Sequence, residues 1–199
     1  MMRFLYTVSL CLAFVGCQTP PAELRDSLLA STDLHRVSPI DIAVLPVEDA
    51  TADRSANHVL DAIRAEIARS LVSKMYTPLA FGPIDRVMQT EPGATPTVSV
   101  VDAEWQRRIG GRFGEDASLA VRVTLWDQSS LMSSGRVRMS ADVSLVGKDN
   151  PNPLWFGALQ GEVKAGGNGP APRDRASREQ AAGAEFAREL VRRLPRRRP

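Results

Sequence analysis

Three carboxylates, Glu48, Asp49 and Asp53, lie within six residues just after the apolar run Ile40-Asp41-Ile42-Ala43-Val44-Leu45-Pro46-Val47. Carboxylates this close can work as an acid and base pair or hold a polar ligand, because each shifts its neighbour's proton affinity. Loops beyond the strands of an open α/β sheet are where ligand sites collect. The same stretch reads more simply as a helix start, since Asp49, Thr51, Asp53 and Ser55 are all N-cap types, and capping explains them without ligand or catalysis. The sequence offers no second half of a catalytic set. His35 and His58 have no motif-spaced partners and read as exposed histidines, and no serine lies in G-x-S-x-G or S-x-x-K. Two cysteines and two histidines in 199 residues leave almost nothing from which to build a disulfide scaffold or a His/Cys metal site. The expectation is therefore a protein without enzymatic activity, metal or cofactor.

Cys17 carries a different chemistry. Arg3 is the only charge before Glu23, and it precedes an uncharged run from Phe4 to Gly16. That run is shorter than the roughly 20 residues of a membrane-spanning helix and suits the core of a signal peptide. It ends in Phe14-Val15-Gly16-Cys17, followed by Gln18-Thr19-Pro20-Pro21. This resembles a bacterial lipobox, in which the cysteine thiol is acylated and becomes the new N-terminus. The alternative is an ordinary secretory signal with an incidental cysteine. Under the lipobox reading residues 1–16 are removed, Cys11 leaves with them, and no free thiol remains for catalysis or redox chemistry. In proteins of this type Asp after the cysteine favours retention at the inner membrane, and Gln18 is compatible with the outer membrane.

The elements that would position these groups follow from hydropathy. Residues 17–38 read as a lipid-anchored tether, with a single α/β domain over 39–194. The apolar run at 40–47 suits a strand buried on both faces. Val59, Ile63, Ile67 and Leu71 recur every four residues, joined by Leu60 and Met75, and predict a helix of about five turns. Tyr76 to Phe81 reads as a short parallel strand held to an edge by Pro78. A short helix is expected at Ile84–Gln89. Another is expected after Asp102 and stops at Gly110-Gly111 or Gly114, glycines that could be mistaken for a phosphate loop but follow a helix instead of joining a strand to one. Three long strands come next. Leu119, Val121, Val123 and Leu125 share one face with Trp126 opposite. Val137, Met139, Ala141, Val143 and Leu145 alternate with polar residues, and Leu154–Val163 completes an antiparallel meander. A last helix, about 174–194, presents Ala182, Phe186, Leu190 and Leu194. The predicted fold is a three-layer α/β sandwich on a mixed sheet, parallel at its start and antiparallel at its end.

Several short motifs resemble those of CsgG-like and TolB amino-terminal-domain-like envelope lipoproteins. They are the lipobox at Cys17, the "VLP" strand end at Val44-Leu45-Pro46, the turn Gly114-Glu115-Asp116-Ala117 into a strand, and Asn152-Pro153-Leu154-Trp155-Phe156-Gly157, with Asn152 where the family has glycine. The order is also similar to lipoproteins described as accessory parts of ABC-type transport systems. The resemblance covers about residues 40–165. It implies a non-enzymatic protein, lipid-anchored at the outer membrane and facing the periplasm, which serves as an accessory or assembly component of an envelope transport or secretion system. Its partners would be the membrane through acylated Cys17, transport or secretion proteins, and further copies of itself. A small-molecule or glycan binding module at the Glu48, Asp49 and Asp53 loop is the alternative. An amphipathic membrane hairpin at 119–146 is disfavoured by Arg122, Arg136, Arg138 and Asp142.

The formal charge of +2, from 25 basic and 23 acidic residues, argues against a nucleic-acid binder, and Trp105, Trp126, Trp155 and Phe156 fit a core better than base stacking. The sum hides a polarity. Arg192, Arg193, Arg196, Arg197 and Arg198 fall in the last eight residues, which contain no acid, and residues 17–191 hold 19 basic against 23 acidic side chains. Residues 195–199 read as a basic tail. Arginines here can simply solvate a helix end and favour its dipole, or they can touch anionic lipid or an acidic partner.

Overall fold

The computed structural model describes residues 24–90, 99–150, 152–167 and 169–198. The elements in order are β1 (Arg25–Asp26), β2 (Leu29–Ala30), α1 (Asp33–Val37), β3 (Asp41–Val44), β4 (Glu48–Asp49), α2 (Leu60–Ser73), β5 (Thr77–Pro78), α3 (Phe81–Thr90), α4 (Ala103–Ile109), β6 (Ala117–Asp127), α5 (Leu131–Ser134), β7 (Arg136–Gly147), β8 (Trp155–Lys164) and α6 (Arg175–Arg193). One sheet runs in the order β1-β8-β7-β6-β3-β5, with β2 also on β8 and β4 also on β6. The pairs β3–β5, β3–β6 and β4–β6 are parallel, and β6–β7–β8 form the antiparallel meander. The sheet is therefore mixed, as the apolar patterning predicts.

Ile42, Ala43, Val44 and Leu45 are all fully buried because two cores lie on opposite faces of β3. Ile42 and Val44 meet α2 and α6, where Val59, Ile63, Ile67 and Leu71 pack with Ala182, Phe186 and Leu190. Ala43 and Leu45 meet Ile84 of α3 and Trp105 and Ile109 of α4. Pro46 has no N–H to donate, and pairing resumes at β4. α2 closes earlier than its apolar spacing predicts. Its final cap lies at Lys74, and Met75 adopts a left-handed φ of 70° and is 46% exposed, so this methionine leaves the buried stripe.

The face assignment of β6 is corrected at its end. Leu119, Val121 and Val123 face the large core, but the β6–β7 register shifts between Val123 and Leu125. A bulge adds one residue to the strand and so reverses the alternation. Trp126 thereby enters the core at 5% exposure, and Leu125 turns outward at 40%.

The expected tether is likewise ordered from residue 25 onward. Arg25 and Asp26 pair with Gln160 and Leu159, and Leu29 and Ala30 pair with Phe156 and Trp155, so this segment covers the β8 edge. Between the two pairs the chain crosses Gly157, whose φ is 137°. A Cβ there would lie 2.4 Å from the Ser27 carbonyl oxygen. Only glycine permits that approach.

Candidate functional site

The C-terminal ends of β3, β4 and β6 gather polar residues at one end of the sheet. Glu48 and Asp49 do not form a carboxylate pair, because adjacent residues of a strand point to opposite faces. Glu48 Oε2 accepts from Ser99 Oγ (3.2 Å) and Val100 N (3.1 Å), and its Oε1 lies 3.6 Å from Arg122 Nε. Asp49 is 5% exposed; its Oδ1 accepts from Thr51 N (2.9 Å) and Thr51 Oγ1 (2.5 Å), while its buried Oδ2 has no partner among the described residues. Asp53 turns to solvent and accepts from Ser55 N, and the hydrogen bonds of Ser55 hold its pKa below the usual carboxylate value. These side chains brace the loop instead of capping α2, whose N-cap position is Val59, without a side-chain bond.

The structure adds a cluster that sequence spacing does not show. His58 Nε2 lies 2.9 Å from Oε2 of Glu179, a residue only 7% exposed, and Glu179 Oε1 accepts from Arg175 Nε at 2.8 Å. The Gln128 amide, oriented to satisfy both ends, donates to Glu179 Oε1 at 2.5 Å and accepts from Arg175 Nη2 at 3.2 Å. The His58 ring stands edge-on to Trp126 with centroids 6.0 Å apart, and the Trp126 Nε1 is buried without a partner among the described residues. His58 is therefore exposed, as its sequence reading has it, and also paired with a carboxylate that no sequence motif marks. A buried carboxylate orients this imidazole through the contact at Nε2. The one local hint was the spacing of four between Arg175 and Glu179 on a helix.

The glycine loop after α4 is not a phosphate cradle. Glu115, 1% exposed, accepts from Gly111 N (2.8 Å) and Phe113 N (2.9 Å) and already occupies those donors.

The opposite end of the sheet holds the arginines, and they divide into two groups. Arg192 pairs with Glu189 at 2.6 Å, and Arg193 pairs with Asp26 (2.6 Å) and Glu189 (3.0 Å). Beyond α6 the chain does not trail into solvent as a separate tail. Tyr76 Oη donates to Pro195 O (3.0 Å), Arg197 N to Lys74 O (3.0 Å), Arg197 Nε to Ser38 O (3.3 Å) and Ser38 Oγ to Arg198 O (3.2 Å). Residues 195–198 thus lie across the end of α2 and form one wall of a groove of about 580 Å³, lined by His35, Met75, Pro195, Arg196, Arg197 and Arg198. Lys74 donates to Arg192 O at 2.7 Å, and its pKa is lowered by burial first and then by Arg192 and Arg196. Burial raises the Tyr76 pKa, opposed by Arg197. Nearby, Asp116 accepts from the N–H groups of Ile40 and Asp41 and lies 3.5 Å from Lys148. Those contacts, the Ile40 bond foremost, hold its carboxyl below the usual range.

Cys17 lies outside the described residues. Leu24, the first described residue, has its carbonyl 3.5 Å from Arg193 Nη2.

Fold and surface define a three-layer α/β domain with a polar cluster at one end of its sheet and an arginine groove at the other. No family model matches the chain, and no curated protein does. Among solved structures it is similar to the lipoprotein GNA1162 of Neisseria meningitidis, at 20% identity and a TM-score of 0.48, over 67% of this chain and 86% of that one. It is also similar to PelC of Paraburkholderia phytofirmans, solved as a dodecamer in two crystal forms. One, a point variant in space group C2, shows 14% identity, and the other, in P6, shows 15%. Both have a TM-score of 0.45 and cover 89% of this chain and 100% of that one.

Proposed function

We propose that this chain is a lipid-anchored lipoprotein of the bacterial envelope, facing the periplasm from the outer membrane. In this reading it serves without catalysis as an accessory or assembly component of a transport or secretion system. The observation that carries the proposal is the lipobox-like Phe14-Val15-Gly16-Cys17, only seven residues before Leu24, the first described residue, which β1 follows directly. Seven residues span at most about 25 Å, so an acyl anchor on Cys17 holds the domain close to the bilayer. Several acyl chains hold a protein stably where one does not. Cells given a labelled acyl precursor should incorporate it into the natural chain, and Cys17→Ala should lose the label and the membrane fraction together. Labelling that survives Cys17→Ala overturns the anchor. Gentle solubilisation and affinity capture should recover envelope transport or secretion proteins, and capture of none of these removes the accessory role.

A second reading is a binding module for a small polar molecule or glycan at the β4 end. It is favoured by two buried, unpartnered groups there, the acceptor Asp49 Oδ2 and the donor Trp126 Nε1. Buried polar atoms without partners carry a desolvation cost that a bound polar ligand relieves. A thermal-shift screen of sugars and small metabolites should find a stabilising ligand whose effect disappears in Asp49→Ala. A hit that stabilises Asp49→Ala equally argues against the site.

A further inference from the structure

We propose that the groove formed by Arg196, Arg197 and Arg198 against His35 and Met75 seats the phosphate of an anionic phospholipid headgroup, so that the domain lies on the membrane by this end. The inference rests on the envelope reading above and assigns the protein an orientation that the anchor alone does not give.

Four observations carry it. First, the arginines of the groove are not spent on carboxylates, although Arg197 Nε donates to the Ser38 carbonyl at 3.3 Å. Arg188, Arg192 and Arg193 each pair with a carboxylate, whereas Arg196, Arg197 and Arg198 have no carboxylate within ion-pair distance among the described residues. Second, they are held in place. The backbone bonds from Tyr76, to Lys74 and from Ser38 fix the segment, so the three residues line one groove without the ordering cost of a free tail. Guanidinium forks match phosphate oxygens in pairs. Third, the lining is not wholly polar. Met75 and Pro195 stand beside the arginines, and Met75 is 46% exposed, which suits the boundary between headgroups and acyl chains. Fourth, the described chain begins beside the end of α6 that leads into this segment: the Leu24 carbonyl lies 3.5 Å from Arg193 Nη2, and Cys17 is seven residues away in sequence. Helix-end solvation alone does not account for this arrangement, because Arg192 and Arg193 already occupy the last turn of α6.

The rest of the polypeptide between residues 17 and 191 carries four more acidic than basic side chains. Attraction to an anionic surface is therefore local to this end and turns the domain instead of merely collecting it.

The test is vesicle flotation of the full chain and of its Cys17→Ala form. Neutral phosphatidylcholine vesicles are compared with vesicles containing phosphatidylglycerol at about one third, over a range of salt concentrations. The dependence on Cys17 with neutral vesicles reads the anchor. The ratio of binding to anionic over neutral vesicles reads the groove, and the anchor or an uncleaved signal cancels in it. Each basic residue near an anionic surface multiplies binding by about five, so Arg196→Gln/Arg198→Gln should lower the ratio about 25-fold at low salt. The exposed pair Arg107→Gln/Arg108→Gln removes the same charge from the end of α4, and it should leave the ratio within about twofold. Thermal unfolding confirms that both variants fold. An unchanged ratio in the groove variant, or an equal fall in the α4 variant, overturns the proposal. Loss of Cys17 dependence with the ratio intact overturns the anchor and leaves the groove standing.

Discussion

Phe186→Ala should lower the unfolding free energy by about 3–5 kcal/mol, the range for emptying a fully buried aromatic site. Phe186 has no exposed surface and lies on α6 in the cluster that joins α2, α6 and the sheet. Little around it can collapse into the space, because the neighbouring helix contact is already tight. At Gly183 on α6 an added Cβ would sit 3.1 Å from Ile63 Cγ1. The cavity term should therefore be paid nearly in full, whereas Phe186→Leu should recover more than half of the loss. Denaturant titration checks this, with a lower midpoint and an unchanged slope. For a domain of this size the loss corresponds to a fall in melting temperature of roughly 6–20 °C. A change under 1 kcal/mol would show that α6 packs elsewhere.

Arg64→Ala should cost about 3 kcal/mol for a different reason. Arg64 is 6% exposed in α2; its Nε and Nη2 donate to Val44 O at 3.0 and 2.9 Å, its Nη1 to Asp85 Oδ1 at 2.6 Å, and its guanidinium lies 4.1 Å over the Phe81 ring. One side chain thereby ties the end of β3 to α2 and α3. Removing it leaves the carbonyl of fully buried Val44 without those donors, and such a group carries its full desolvation cost. Asp85 is 38% exposed and regains water, which keeps the loss at the lower end of the range for a broken buried pair. Arg64→Lys should recover less than half of the stability, since a single ammonium cannot serve Val44 and Asp85 with fork geometry. Full recovery by lysine would mean that charge alone matters at this position.

Local patterning made the parallel start of the fold legible. Ile42 to Leu45 read as a strand covered on both faces, and the period of four from Val59 to Leu71 placed α2 against it; both features depend on neighbours in sequence. The Trp126 reversal did not show, because a bulge arises from two strands competing over register, and no residue of β6 marks it. The carboxylates after β3 were visible as residues but not as geometry, since the short strand β4 sends Glu48 and Asp49 to opposite faces. His58 and Glu179 are separated by most of the domain, and only the parallel packing of α2 beside α6 brings them to 2.9 Å. The arginine run was plain in the sequence, but its docking onto Lys74, Tyr76 and Ser38 depends on backbone bonds that any residue type can make.

The strand pairing at the β8 edge sets an order of events in time. Arg25 bonds to the level of Gln160, so the first described stretch of the chain waits for nearly the last strand before it finds its place. A polypeptide emerging from a ribosome or an export channel delivers residues 25–30 long before that edge exists. Late closure of this kind makes folding slow and leaves residues 25–30 without their partner strand until the whole meander has arrived. The nascent protein therefore spends its passage with this segment unpaired, and a holding factor that binds extended chain would have its greatest effect in that interval.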